Sequence, residues 1–357
     1  MLFESCSGTV AGMSTSPTAT TSPAAIDPVA APRERAPRAG FAPAHAQLVR
    51  LEATALAATR AAAMACQRWI GRGSGQAADA AATDAMRSAL ATAPGTGTVV
   101  IGEGVKDRAP MLYDGELVGT RRGPSFDIAV DPLECTTLCA KGLPGSLATI
   151  AFAEAGSMAR LGPSFYMDKL VGPPATREAI DITDAPKANL ARVAQALEKP
   201  IEEVRVVVLD KPRHAALIEE IHRAGACVIS PPDGDVAGAL APLLPGGAAD
   251  LLMGIGGTPE GVMTACAVRA LGGCMEARLA PQQADEKRAL LDAGLSTERV
   301  YSVEDLVSDD AFFAATGVTG GELLRRPWRS EGSTFTHSVV VARGSMRKVV
   351  EASVEQT

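Results

Sequence analysis

Several features that would point to familiar functions are missing from this sequence. No apolar run approaches the ~18 residues that a membrane-spanning helix needs. Basic residues are not in excess: 34 Lys and Arg face 41 Asp and Glu, for a net charge of −7. Nucleic acid is therefore not an expected partner. None of the four histidines lies at zinc-ligand spacing. The cysteines at 6, 66, 135, 139, 227, 266 and 274 contain no Cys-x-x-Cys pair. An odd, scattered set of this kind fits a reducing compartment, and we expect a cytoplasmic protein. Glu4 precedes any basic residue and Arg33 is the first of those, which argues against a secretory signal. There is no Walker A motif. Gly254, Gly256 and Gly257 do not form a dinucleotide fingerprint. Serine and histidine have no local context suggesting a nucleophilic triad, and internal repeats are absent.

The chain of 357 residues is 46% hydrophobic and 21% charged, enough for one large domain or two packed ones. Residues 1–44 are rich in Ala, Pro, Ser and Thr and read as a disordered tail, in which Met13 is an alternative start. From His45 to Ile70 the spacing of Leu48, Leu51, Ala55, Ala58, Ala62, Ala65 and Trp69 predicts a helix. Gly71 to Gly75 breaks it. A second helix, about 77–90, begins near Asp79, whose structural reading is an N-cap or first-turn acid. Apolar runs then alternate with helical segments in an α/β pattern. The strands expected are 98–101, 126–130, 147–153, 204–209, 227–230, 250–255 and 338–342, the last closing a sheet. The helices expected are 190–197, 215–223, 236–243 and one starting near Pro259.

The organising stretch is Asp131-Pro132-Leu133-Glu134-Cys135-Thr136. A buried strand, Phe126 to Val130, is expected to stop at Asp131, because Pro132 has no N–H for a ladder. Two carboxylates and a hydroxyl then follow a strand end. Taken alone, they also fit a solvated Asp-Pro turn. The arrangement recurs, however. Val99 to Gly102 runs into Glu103, and Asp250 to Thr258 runs through a Gly-rich turn to Glu260. In open α/β sheets, ligands lie outside the carboxyl ends of strands. Converging carboxylates there call for a hard cation. His214 and His222 lie without partner acids at metal spacing and read as surface or cap histidines.

These motifs carry a resemblance. Asp131-Pro-Leu-Glu-x-Thr136 is similar to the metal signature of the lithium-sensitive sugar and inositol phosphatase superfamily. Within it the chain resembles the class II fructose-1,6-bisphosphatases, over residues 45 to 350. The blocks are Ile101-Gly-Glu-Gly, Ala109-Pro-Met-Leu-Tyr113, Asp127-Ile-Ala-Val-Asp-Pro, Phe165-Tyr-Met-Asp-Lys-Leu, Lys211-Pro-Arg-His, Pro232-Asp-Gly-Asp-Val, Met253-Gly-Ile-Gly-Gly-Thr-Pro-Glu-Gly-Val and Ala315-Thr-Gly-Val-Thr.

The resemblance implies a layered α/β/α/β/α fold with mixed sheets. It divides the chain into a metal-binding part, 45–185, to which 312–350 returns, and a sugar-phosphate part, 186–311. It implies Mg²⁺ or Mn²⁺ held by Asp79, Glu103, Asp131, Glu134 and Glu260, with Asp107, Thr136 and Glu260 in the catalytic step. Thr136, Tyr166, Lys211, Arg213, Asp233 and Asp235 are the implied sugar-phosphate contacts. The implied reaction removes the 1-phosphate of fructose 1,6-bisphosphate, in carbohydrate metabolism and gluconeogenesis. Sedoheptulose 1,7-bisphosphate or another sugar phosphate is the alternative. The implied assembly is a homodimer or homotetramer.

Three positions depart from the family: Cys135 stands for Gly, Gly75 for Lys, and Val105 for a frequent Glu. They keep open a weakened paralogue that only binds sugar phosphate. Cys135 and Cys139, four apart, also raise the possibility of a redox pair if the backbone folds back.

Overall fold

The structure is a computed structural model, and it describes residues 44–102, 111–244 and 246–354. The first helices are α1 (Ala44–Cys66) and α2 (Gly75–Leu90). Next come β1 (Thr96–Ile101), β2 (Leu117–Val118), β3 (Ser125–Glu134), α3 (Thr136–Lys141), β4 (Leu147–Glu154) and β5 (Tyr166–Gly172). The middle of the chain gives α4 (Pro186–Ala196), β6 (Arg205–Val207), α5 (Ala215–Ala224), β7 (Cys227–Ile229), α6 (Asp235–Leu240), β8 (Leu251–Gly257) and α7 (Thr258–Leu271). The remainder is β9 (Cys274–Leu279), α8 (Ala284–Asp292), β10 (Tyr301–Ser302), α9 (Val303–Leu306), β11 (Ala311–Gly317), β12 (Trp328–Ser330), β13 (Ser333–Ala342) and β14 (Ser345–Val354).

Among the described residues the strands form two sheets. One runs β12-β13-β11-β4-β3-β1-β2, with β14 also on β13; the other runs β10-β9-β5-β8-β6-β7. Both are mixed. β3 is parallel to β1 and antiparallel to β4, and β8 is parallel to β6 and antiparallel to β5.

The core shows why the layers stack as they do. Leu51, Ala55, Ala58 and Ala62 of α1, with Ala82 and Met86 of α2, pack on Ile128, Ile150, Phe152 and Phe312. The opposite face of that sheet, with Ala129, Ala151, Phe313 and Val339, meets α6 and α7, which also meet Met167, Val171, Leu252 and Ala277 of the second sheet. The far face of the second sheet, with Leu170, Val206 and Leu251, is covered by Leu190 and Val193 of α4 and Ile221 of α5. The order is therefore α/β/α/β/α, as expected. α7 lies between two sheets, and Gly261 to Val268 is buried throughout, which its run of small apolar residues permits.

Several boundaries differ from the sequence expectation. α2 starts at Gly75 after Ser74, so Asp79 falls in the second turn and is not a cap. β3 does not stop at Asp131. It runs to Glu134, with Asp131 opposite Thr149 and Glu134 opposite Leu147. Three steps on one strand thus face two on the other, which is a β-bulge. Pro132 sits in that bulge, where no ladder N–H is required. The 338–342 segment belongs to β13, an interior strand between β11 and β14. β14 was not anticipated because Ser-Met-Arg-Lys-Val-Val-Glu-Ala-Ser-Val has weak alternation.

Candidate active site

The β3 bulge lies between two ladder residues that carry carboxylates, Asp131 and Glu134. Asp131 is held at both ends: its Oδ1 accepts from the Leu133 N–H at 3.1 Å, and its carbonyl accepts from Thr149 Oγ1 at 3.1 Å. Cys135 then adopts the left-handed region, with φ 62° and ψ 50°. Ser146 Oγ donates to the Cys135 carbonyl at 2.9 Å and fixes that turn. Thr136 opens α3, and its Oγ1 donates to Leu133 O at 2.9 Å. A glycine is the ordinary occupant of such a backbone, so the dihedral accounts for the glycine that the family resemblance implies here.

The third acid arrives from the second sheet. β8 ends at Gly257, and Glu260 lies in the first turn of α7. A Cβ on Gly257 would sit 1.7 Å from Glu260 Oε2, so only glycine lets the carboxylate fold back over the turn. Asp131, Glu134 and Glu260 each bring a carboxylate oxygen within 4.8 Å of the others. Burial pushes the Glu134 carboxyl well above its usual range, and the neighbouring charges of Asp131, Glu260 and Asp235 push it further. Three crowded acids, one of them buried, form an all-oxygen donor set that repels itself until a cation arrives. That is the chemistry a hard divalent ion fits.

Beside the triad lies a cationic wall. Arg213 donates through Nε and Nη2 to Ile255 O, at 3.0 and 2.7 Å. Its guanidinium lies over the Tyr166 ring at 5.5 Å. Lys211 Nζ faces Asp233 Oδ1 at 3.6 Å. His214 is buried and sits between two backbone groups. Its Nδ1 is 2.8 Å from Leu209 O, and its Nε2 accepts from the Ile255 N–H at 2.8 Å. With Nε2 accepting, Nδ1 must carry the proton and donate, so the ring is the neutral tautomer. It ties the turn that carries Lys211 and Arg213 to β8. The surface reading of His214 is therefore corrected: it stands at the N-cap position of α5, without a capping side-chain bond, as a buried strut.

The family model for "Bacterial fructose-1,6-bisphosphatase, glpX-encoded" matches residues 49–353. The chain belongs to this family. It is 41% identical over 305 residues to a class 2 fructose-1,6-bisphosphatase of Haemophilus influenzae, covering 82% of this chain and 91% of that protein. It is likewise 41% identical to fructose-1,6-bisphosphatase 1 class 2 of Escherichia coli K12, covering 82% of this chain and 90% of that one.

Within this bisphosphatase chain the structure brings Asp131, Glu134 and Glu260 together, with Thr136 directly after them. Tyr166 and Arg213 meet one another, as do Lys211 and Asp233. Asp79 is half-buried on α2, outside the group of three whose carboxylate oxygens all lie within 4.8 Å of one another, and its charge helps raise the Cys66 thiol. Glu103, Asp107 and Val105 lie outside the described residues. Asp235 is buried and turned onto Lys169 Nζ. The Cys135 thiol lies 3.6 Å from Glu134 Oε1, whereas the Cys139 thiol hydrogen-bonds that of Cys66.

Sequence reasoning missed two residues of this region, Lys169 and His214. A signal for Lys169 existed. On β5 it shares a face with Met167 and Val171, so a lysine stands in an otherwise apolar, core-facing row.

Proposed function

We propose that the chain hydrolyses the 1-phosphate of fructose 1,6-bisphosphate, yielding fructose 6-phosphate and phosphate, with Mg²⁺ or Mn²⁺ bound. The observation that carries this reading is the Asp131, Glu134 and Glu260 triad beside the Arg213 and Lys211 wall, in a chain of the bisphosphatase family. Asp131, Glu134 and Glu260 would hold the ion, with Asp79 and Glu103 completing the donor set. The bound ion supplies charge neutralisation at the phosphoryl oxygens and acidifies water.

The chain's own groups orient the substrate. Arg213 uses part of its fork on Ile255 O and turns its remaining N–H donors to the distal phosphate, while the Tyr166 ring fixes its plane. Lys211 adds a second charge and Asp233 accepts from sugar hydroxyls. Thr136 Oγ and Asp107 position the attacking water. Two phosphate-binding cations favour a bisphosphate over a monophosphate. Residues 45–185 with 312–350 would form the metal side and 186–311 the sugar-phosphate side, with Glu260 reaching across. We further place the chain in the lithium-sensitive superfamily, in the cytoplasm, as a homodimer or homotetramer.

The test is phosphate release with Mg²⁺ and with Mn²⁺ from fructose 1,6-bisphosphate, sedoheptulose 1,7-bisphosphate, fructose 6-phosphate and inositol 1-phosphate. Fast release from the first, lost in Asp131→Asn and inhibited by lithium, is expected. Preference for sedoheptulose 1,7-bisphosphate would move the substrate. Binding without release from any would mean a sugar-phosphate-binding protein in which Cys135 has silenced the site. Light scattering on a sizing column reads the assembly.

A further inference from the structure

The site rests on a buried charge pair that the chemistry above does not use. Lys169 projects from β5 and is 1% exposed. Its Nζ donates to Asp235 Oδ2 and, at 3.1 Å, to the Gly257 carbonyl. These partners belong to different turns. Asp235 starts α6, at the end of the Asp233-Gly234-Asp235 loop, and Gly257 is the residue on which α7 begins, three before Glu260. The backbone is shaped around the ammonium. A Cβ on Gly256 would fall 1.9 Å from Asp235 Oδ2 and 2.7 Å from Lys169 Nζ, and a Cβ on Gly261 would meet Lys169 Cδ at 3.4 Å.

A lysine this deep is costly to desolvate and persists only when paired. Here its donors also join two strand-to-helix turns. One turn carries the acid that completes the triad, and the other carries Asp233.

We propose that Lys169 is a positioning residue, which locks the Asp233–Asp235 turn to the start of the Glu260 helix and so sets the third carboxylate of the metal triad. The proposal rests on the metal role given to the triad above, but its test does not need turnover. Two pictures of Lys169 predict opposite signs for metal affinity. As a mere counter-charge beside four carboxylates, its removal leaves the site more negative and should tighten a cation. As a positioning group, its removal frees the Gly257 turn and misplaces Glu260, so binding weakens.

The experiment is Mn²⁺ titration by calorimetry of wild type, Lys169→Met and Asp235→Asn, well below their melting temperatures. Expected is a roughly tenfold weaker Mn²⁺ Kd in Lys169→Met. Asp235→Asn, whose amide oxygen still accepts from Lys169, should weaken Mn²⁺ by about threefold or less. Unchanged or tighter binding in Lys169→Met overturns the proposal, even if its Tm falls, since a purely structural role would lower Tm alone. Should Lys169→Met fail to fold, Gly256→Ala keeps both charges and forces the pair apart. Weaker Mn²⁺ binding there supports the lock, and unchanged binding refutes it. Phosphate release by the wild type from fructose 1,6-bisphosphate is measured alongside. If the wild type binds Mn²⁺ but releases nothing, the substrate reading fails while the lock is still decided by the titration.

Discussion

Replacing Cys135 with glycine separates what the backbone wants at this position from what the thiol does there. Cys135 is a non-glycine residue at φ 62°, ψ 50°, a conformation that costs an L-residue about 1–2 kcal/mol. Cys135→Gly removes that cost. Against it stand about 0.5–1 kcal/mol for the extra freedom of glycine in the unfolded chain and about 1 kcal/mol for the lost burial of a small side chain. The balance lies within ~1 kcal/mol, so Tm should move by no more than about 4 °C. Activity is the more telling readout. The thiol lies 3.6 Å from Glu134 Oε1, a weak contact worth about 0.5–1 kcal/mol that must be surrendered when the carboxylate turns to a cation. Removing it should raise kcat/KM on fructose 1,6-bisphosphate about two- to fivefold. The assay is phosphate release at fixed Mg²⁺ beside a thermal melt. A fall in kcat/KM of more than about threefold would show that the thiol assists the site. A Tm loss above about 8 °C would show that packing of Cys135, not strain, dominates the turn.

Asp131→Asn should lower phosphate release by at least about 10³-fold, since a neutral amide replaces a triad carboxylate, while circular dichroism stays unchanged. Gly254→Ala should cost about 3 kcal/mol, because φ is 119° and the new Cβ would lie 2.9 Å from His214 Nε2; a melt that shifts by less than about 3 °C would count against this. Arg213→Ala should raise KM for a bisphosphate about tenfold or more with a smaller change in kcat, as a phosphate fork is lost. Burial holds the His214 imidazole below its ordinary value, and Arg213 adds to this, while the Leu209 carbonyl bond and the Asp168 and Asp235 charges oppose it. Its contribution to stability is therefore complete above about pH 6.5 and lost as pH falls below that. The Tm difference between about pH 7.5 and pH 5.5 should shrink in His214→Phe.

How much of this was legible in the sequence depended on the length scale of the signal. The buried strands around Ile128, Ile150 and Leu252 are mostly apolar runs, and both faces of each sheet are covered, so their type could be read directly. The acids at Asp131, Glu134 and Glu260 could be read because each ends such a run. The bulge between two of them could not. Pro132 read as a stop, whereas two-against-one pairing with β4 is a property of two strands, and the sequence shows one at a time. The family resemblance implied Asp235 as a ligand contact; its turn toward Lys169 depends on β5 arriving from 66 residues earlier. His214 carried no periodic or spacing signal at all, because its partners are backbone atoms of Leu209 and Ile255.

The layered order explains why the site lies where these readings meet. Asp131 and Glu134 leave the first sheet at the end of β3, and Glu260 leaves the second at the end of β8. α7, like α6, packs against the facing surfaces of both sheets through a common core. Its first turn can therefore place one carboxylate against two from the other sheet only if its start is fixed along its own axis. Packing of the small residues from Gly261 to Val268 resists displacement sideways but resists sliding weakly, since Ala, Cys and Thr present shallow ridges. Directional contacts must supply the rest. They are the Lys169 bond to the Gly257 carbonyl, the Thr258 N–H to Phe165 O at 3.0 Å, and the Ser164 Oγ to Thr258 Oγ1 contact at 2.8 Å. All three come from β5 or the residues just before it. The strand that carries Tyr166 on one face thus supports the start of the Glu260 helix from the other, which links the Tyr166 and Arg213 wall to the Asp131, Glu134 and Glu260 triad through a single element.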